Sequence, residues 1–304
     1  MKIFMTGATG YIGSVITEKL LQAGHQVVGL ARTDASARAL QDLGAEPLRG
    51  SLRDTQLLTG AAQAADGVIQ NAFDLGADFA TATAEEAKAV HALITALRGS
   101  DKPLVYTSGT GGLGDTGSLV YDEETPIATS ESPTVQALQL RFETEKAVTG
   151  ATGPRGIALR PPNVFGRGGG RSVLWLIGAA GRKLGAVPYP AEAADNLWSL
   201  VHVDDLADLY VLAVEKAPGG ELFHAASRGG LRTQDVAAAI SRGAGLGGKT
   251  VALDRDELAE ALGAPPLADY WSINSQISGE KARRVLGWAP RHLDVLDELG
   301  RPTS

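Results

Sequence analysis

Ile3-Phe4-Met5-Thr6-Gly7-Ala8-Thr9-Gly10-Tyr11-Ile12-Gly13 is the stretch that decides the fold. An apolar run, a Gly-x-x-Gly-x-x-Gly loop and then a helical pattern make a phosphate cradle. The glycines let the backbone turn tightly and approach a pyrophosphate, and the amides at the helix N-terminus face its charge. Among 38 glycines a lone triplet would be weak evidence. Here the loop opens a helix with apolar residues at Ile12, Val15, Ile16 and Leu20. Gly24-His25 ends that helix, and a second apolar strand, Gln26-Val27-Val28-Gly29-Leu30, follows. That context favours a dinucleotide over a plain strand-to-helix turn without ligand. Gly7, Thr9, Gly10, Tyr11, Ile12 and Gly13 are its expected contacts.

Outward from the cradle, short apolar strands alternate with helices. Strands are expected at 2–6, 26–31, 46–49, 67–72, 103–107 and 156–160, with helices near 11–23, 34–43, 54–65, 77–99 and 132–149. Strict alternation with β-branched strands predicts an α/β fold, a doubly wound parallel sheet covered on both faces. After Arg160 the texture changes: Pro161-Pro162 ends the strand and Gly166-Arg167-Gly168-Gly169-Gly170 is a loop. Helices are expected from Ser172 to Arg182 and from Val203 to Lys216, the latter capped by Asp204. Glu221 to Ala226 reads as a further strand of the main sheet, Thr233 caps a helix to Arg242, and short helices follow around 254–262 and 279–286. Residues 1–160 with 201–227 are thus expected to form the nucleotide-binding domain, and 161–200 with 228–304 a smaller, mostly helical substrate lobe.

At 304 residues the chain can bury a sizeable core, and a net charge of -7 without a basic stripe argues against nucleic acid. Zero cysteines exclude disulfides, thiolate metal sites and cysteine nucleophiles, and no metal site is expected. No apolar run reaches membrane-spanning length, and the cradle begins within a few residues of Met1. The expectation is a cytoplasmic monomer or homodimer acting on a small molecule.

Six ordered landmarks resemble the extended or atypical short-chain dehydrogenases/reductases. They are Thr6 to Gly13, Gly50-Ser51-Leu52-Arg53-Asp54, Val105-Tyr106-Thr107-Ser108, Leu159-Arg160-Pro161-Pro162-Asn163-Val164-Phe165-Gly166, Val201-His202-Val203-Asp204-Asp205-Leu206-Ala207 and Leu286-Gly287-Trp288-Ala289-Pro290. The resemblance implies a Rossmann domain for NAD(H) or NADP(H) and a C-terminal substrate lobe. An acidic residue at the end of the second strand would accept from a ribose 2′-hydroxyl and repel a 2′-phosphate. This chain has Ala31-Arg32-Thr33 there, with Asp34 as the next helix's cap or a ribose contact and Arg38 on that helix. Arg32 is a charged fork suited to phosphate and Thr33 can donate beside it, so NADP(H) is preferred over NAD(H). Ser51 stands where the family usually has an adenine-binding aspartate, and Leu52 can pack on the ring. Asn71, Ala72 and Phe73 would line the cofactor's middle, with Thr107, and Pro161 to Val164 would lie near the nicotinamide.

The family's Tyr-x-x-x-Lys pair, in which the lysine lowers the tyrosine's pKa, is missing. The helix reads Leu138-Gln139-Leu140-Arg141-Phe142-Glu143-Thr144-Glu145-Lys146. One register puts Arg141 and Glu145 in the pair's places, the other Phe142 and Lys146. Thr144 favours the first, in which Arg141 and Glu145 read as an i,i+4 ion pair, while Phe142 continues the apolar stripe Val135, Leu138, Phe142. The usual serine position is Gly109, flanked by Ser108, which can tie down the strand end, and Thr110, better placed for a substrate oxygen. Tyr121, Tyr189 and His202 are other acids, His202 in a structural role by position. Two functions follow: an NADP(H)-dependent oxidoreductase without the usual tyrosine, or a non-catalytic dinucleotide sensor. An epimerase or dehydratase ranks below both, because it needs that tyrosine.

Overall fold

The structure is a computed structural model that describes residues 1–74, 78–170 and 172–302. Its first half alternates as the sequence predicts: β1 (Lys2–Thr6), α1 (Tyr11–Gln22), β2 (Gln26–Ala31), α2 (Asp34–Leu43), β3 (Glu46–Arg49), α3 (Thr55–Ala64), β4 (Gly67–Gln70), α4 (Phe79–Ala96), β5 (Pro103–Thr107), α5 (Pro133–Thr149) and β6 (Arg155–Arg160). β4 stops two residues short of the expected end. There the Gln70 and Thr6 side chains, rather than a strand, accept from the Ala72 amide, at 2.8 and 3.2 Å. The expected helix start at 77 lies outside the described residues; Asp78 caps α4 by accepting from the Thr81 amide.

The second half contributes β7 (Asn163–Phe165), α6 (Val173–Leu184), β8 (Val187–Pro190), β9 (Leu197–His202), α7 (Val203–Lys216), β10 (Glu221–His224), β11 (Arg228–Arg232), α8 (Thr233–Gly243), β12 (Thr250–Leu253), α9 (Arg255–Leu262), α10 (Pro265–Trp271), α11 (Glu280–Leu286) and α12 (Val295–Leu299). Seven strands form one parallel sheet in the order β10-β6-β5-β4-β1-β2-β3. Strand order reverses direction between β1 and β4, so a crevice opens beyond their C-terminal ends, where ligands bind in such sheets. Buried apolar residues fill both faces. Ile16, Leu20, Leu206 and Tyr210 pack on one, and Leu58, Val90, Leu93 and Val148 on the other. A third core around Trp198 and Trp271 holds the lobe together, with a parallel β7–β9 and antiparallel β9–β11 sheet and a parallel β8–β12 pair among its helices.

The residue at each helix start is corrected in three places. α7 is capped by His202, whose Nδ1 accepts from the Asp204 amide at 3.2 Å, so Asp204 lies inside the first turn. α2 is capped by Thr33 in a reciprocal exchange with Ser36, and Asp34 instead pairs with Arg49 at 3.2 Å. Thr233 turns its hydroxyl to the Asn196 carbonyl and leaves α8 without a side-chain cap. Residues 280–288, expected in the lobe, pack onto the nucleotide-binding core. Ala282, Leu286 and Trp288 join its buried cluster, and the Trp288 indole donates to the Asp205 carbonyl at 2.8 Å.

Candidate functional site

The cradle is built from close backbone contacts. Gly7 adopts φ +69°, and a Cβ there would meet the Asn71–Ala72 backbone at 2.8 Å. Thr6 accepts from both the Asn71 and Ala72 amides at 3.2 Å, which ties the end of β4 to the start of the loop. Gly10 is exposed, and no side chain caps α1, so the amides of its first turn stay available to an anion. This arrangement fits a dinucleotide pyrophosphate. The loop 166–170 lies alongside: the Tyr11 hydroxyl donates to the Gly166 carbonyl at 2.8 Å, and burial raises that phenol's pKa. Thr9 and Ile12 are half-buried, Ile12 against the first core.

At the adenosine side, Arg32 extends into solvent from the end of β2, 68% exposed, with Asp74 at 3.3 Å. The Thr33 hydroxyl oxygen accepts from the Ser36 amide at 3.1 Å in capping α2. Ser51 gives its hydroxyl to Asp54 at 3.1 Å in the turn before α3, so its side chain serves the turn, and Leu52 packs on the second core. Thr107 is also committed inward. It donates to Asn71 Oδ1 at 3.0 Å and shares a 2.6 Å contact with the Tyr210 hydroxyl. Pro161 and Val164 are buried, Val164 in the first core.

Beyond β5 the residues that replace the family's acid form a closed ionic group. The Arg141 guanidinium makes two 2.8 Å bonds to Glu86 on α4 and donates to the Thr107 carbonyl at 2.7 Å. Tyr106 donates to the same carboxylate at 2.9 Å, and Phe73 lies under the guanidinium at 4.6 Å. Burial alone would favour loss of the Arg141 proton, but Tyr106 and Glu86 outweigh it and hold the pKa above the ordinary value. A group so fixed and so basic cannot donate a proton to substrate. Nor does it pair with Glu145, as the i,i+4 spacing suggested. Glu145 instead holds Arg160 through two bonds deep in the interior. Lys146 points outward to Glu143 at 2.9 Å, away from any site. Phe142 is core, packed with Leu113, Tyr121 and Ile277.

A Cβ at Gly109 would have Arg141 Nη1 as its neighbour at 3.9 Å, which supports the register that aligns Arg141 with the missing tyrosine. Gly111 lies against Leu138, Gly112 against Phe142, and Gln139 donates to the Gly112 carbonyl at 3.1 Å. α5 therefore pins the loop that the sequence leaves unaimed. Ser108 is buried, and among the described residues its hydroxyl has no hydrogen-bond partner, so it does not tie down the strand end. Thr110 faces Tyr270 of the lobe, a residue that sequence reasoning missed. Tyr270 also accepts from Asn163 Nδ2 at 3.1 Å and has Ser275 beside it. Burial raises the Tyr270 pKa, and Ser275, Asn163 and Thr110 pull the other way. Tyr121 packs with Leu113 and Phe142, and Tyr189 packs in the third core, which also takes in Tyr270.

Among the described residues His202, His292 and Glu298 bring ligand atoms within 4.8 Å of one another. The imidazoles stack at 3.7 Å and 17°, so their in-plane lone pairs run side by side instead of converging. Each Nδ1 is already engaged, with the Asp204 amide and with Glu298. The group reads as a cap and a brace.

Below the site, His224 is fully buried, with its Nε2 3.4 Å from Arg160. Burial first, and the Arg160 cation next, lower its pKa from 6.5 to about 3. The unfolded chain binds this proton below pH 6.5 and the folded chain does not. Stability is therefore lost as the pH falls from there, by about 1.4 kcal/mol per unit for this group. His224→Gln should flatten that part of the slope in urea midpoints measured between pH 7 and 5. An unchanged slope would remove His224 as its source.

The geometry defines a Rossmann-type dinucleotide-binding fold. The chain belongs to the NAD dependent epimerase/dehydratase family, whose model matches residues 3–226. It is 34% identical to an uncharacterised protein of Schizosaccharomyces pombe, over 98% of both chains. It is also 25% identical to a 4-hydroxy-2-methyl-3-oxo-4-farnesyl-3,4-dihydroquinoline-1-oxide ketoreductase of Stigmatella aurantiaca, over 98% of this chain and 96% of that one. Among solved structures, a dTDP-glucose 4,6-dehydratase of Streptomyces venezuelae with NAD bound shares the fold. It has a TM-score of 0.77 at 19% identity, covering 100% of this chain and 96% of that one. Membership makes this chain an NAD(P)-dependent oxidoreductase that binds a nicotinamide cofactor. No helix among the described residues is long and apolar enough to cross a membrane.

Proposed function

We propose that this protein is an NADP(H)-dependent reductase of a small carbonyl, imine or activated alkene, working without a tyrosine on α5. The observation that carries the reading is the pairing of an open cradle with the Arg141–Glu86 group at the usual acid's place. Bound in the cradle, the reduced nicotinamide supplies a hydride. Gly7, Gly10 and Gly13 let the backbone meet the pyrophosphate, and the first amides of α1 offset its charge. Asn71, Ala72 and Phe73 line the path toward β5. A buried, permanently charged arginine cannot serve as the acid, so either another group supplies the proton or the substrate has less need of one, as protonated imines, quinones and conjugated enones do. Reductase-named relatives agree with this direction.

Arg32 supports the choice of NADP(H): it is exposed at the end of β2, with no carboxylate at position 32 to repel a 2′-phosphate. A charge-assisted bond that exposed is discounted for solvent screening, which leaves about 1.4 kcal/mol, or about tenfold in affinity. Titration of NADPH and NADH against tryptophan fluorescence should show that margin, and Arg32→Ala should erase it. Equal affinities in the parent protein would sink the preference. NADPH oxidation with cyclic imines, quinones, enones and ketones tests the activity itself. Tight NADPH binding with no turnover across that panel would favour a sensor, a reading to which the inert Arg141–Glu86 group also lends support.

A further inference from the structure

The lobe brings one phenol to the place where the reaction needs a proton, from an element no motif points to. Thr110 follows β5, and Asn163 follows β6 by three residues. In a sheet of this order the cofactor runs across the strand C-termini with one half on each side of the β1–β4 switch, so its nicotinamide half lies over β4, β5 and β6. The Tyr270 hydroxyl meets side chains at the ends of two of those strands: it accepts from Asn163 at 3.1 Å and faces Thr110. Its ring is held from behind by Trp198, at 5.3 Å between centroids, and its edge lies 4.0 Å from where a Cβ of Gly111 would stand. The Trp198 ring is itself fixed against Trp271, the residue after Tyr270, in an edge-to-face contact at 4.5 Å. The phenol is therefore aimed by packing, and the bond from Asn163 fills one of its oxygen lone pairs while leaving its proton to give.

We propose that Tyr270 is the proton donor of this enzyme, a tyrosine supplied by the substrate lobe in place of the one absent from α5, with Thr110 as its hydroxyl partner. The proposal rests on the reductase reading above. For a carbonyl substrate, hydride from the reduced cofactor forms the new C–H bond at the carbonyl carbon. The electron pair of the C=O π bond moves to oxygen and takes the Tyr270 proton, and the phenolate regains a proton from solvent by way of Thr110. Asn163, donating to the phenol oxygen, stabilises the phenolate while it lasts.

The placement can be read without turnover. The chain has six tyrosines, so protein carrying [13Cζ]tyrosine gives a spectrum simple enough for Tyr270→Phe to identify the Tyr270 signal. Saturating NADP+ and NADPH should each move that signal, and by different amounts, because only the oxidised ring is cationic. A Tyr270 signal that both bound cofactors leave in place overturns the proposal. With a carbonyl substrate found in the panel above, Tyr270→Phe should lower kcat by about 10²- to 10⁴-fold, the range of a positioned general acid, with NADPH affinity unchanged. Phenylalanine keeps the ring packed on Trp198, and Thr110→Val, expected to lose less than Tyr270→Phe, serves as a second variant remote from that packing. Full turnover in Tyr270→Phe overturns the proposal and leaves the reductase reading standing. A silent parent panel beside a moving Tyr270 signal overturns the reductase reading and upholds the placement of Tyr270.

Discussion

Glu86→Ala is expected to destabilise the protein by about 3–5 kcal/mol, the cost of leaving a buried cation without its partner. Glu86 is 1% exposed and accepts from three donors: Nε and Nη2 of Arg141 and the Tyr106 hydroxyl. Alanine leaves the Arg141 charge facing the Thr107 and Ser108 carbonyls and the Phe73 and Tyr106 rings, and removes the acceptor of the Tyr106 phenol. Two-probe urea unfolding at neutral pH would measure the loss as a lower midpoint at constant slope. The decisive comparison is the triple variant Glu86→Leu, Arg141→Met, Tyr106→Phe, which removes every charge and hydroxyl of the group together. Buried ion pairs replaced as a whole by apolar side chains are often neutral in stability. The triple variant should therefore regain most of what Glu86→Ala loses, and it should keep its NADPH affinity. A triple variant that folds well but fails to bind NADPH would mean that Arg141 serves the cofactor directly.

The contrast between that group and its sequence explains what was legible beforehand. The six leading strands and five helices of the first half could be read because each is a local pattern: an apolar run, a periodic face, a turn residue at the end. Among the described residues their ends fell within two residues, except that α4 stops at Ala96, three short of the expected 99. Helix caps slipped by one position at α2 and two at α7, since Thr33 and His202 offer side-chain acceptors that far before the aspartates that looked like caps. In the lobe β7, β8 and β12 have only three or four residues, and β8 reads Val187-Pro188-Tyr189-Pro190, whose prolines are turn signals. The candidate site was legible only where it is made of backbone. The cradle is contiguous, but the partners of Arg141 and Glu145 lie 55 and 15 residues away, and Thr110 and Tyr270 are 160 apart. Spacing within a helix predicts neighbours on its own surface. It carries no information on a carboxylate offered by α4 or a phenol offered by α10.

Gly13→Ala should weaken dinucleotide binding by about ten- to a hundredfold, and the reason lies in three backbone segments that leave each other no room. A Cβ on Gly13 would stand 1.9 Å from the Gly7 carbonyl oxygen and 3.1 Å from the Ala8 Cα. Neither atom belongs to a flexible side chain, so either the loop or α1 must move. The loop cannot retreat, because Gly7 is already backed by the Asn71–Ala72 backbone, and Thr6 ties that segment down through two amides. Overpacking of this kind costs roughly 1–3 kcal/mol. The strain falls on the segment whose amides meet the pyrophosphate, so the same sum expressed as affinity is about ten- to a hundredfold. The parent should gain about 2.7 kcal/mol against urea when NADPH is present at about a hundred times its dissociation constant. Gly13→Ala should gain only about 0.4–1.4 kcal/mol at that concentration. Gly60→Ala in α3 is the matched control: no heavy atom lies within 4 Å of its added Cβ, and a helix-interior glycine exchanged for alanine should stabilise by roughly 0.5–1 kcal/mol. If Gly13→Ala bound NADPH as tightly as Gly60→Ala, the pyrophosphate would have to sit elsewhere, and the cradle at the start of the chain would lose its role.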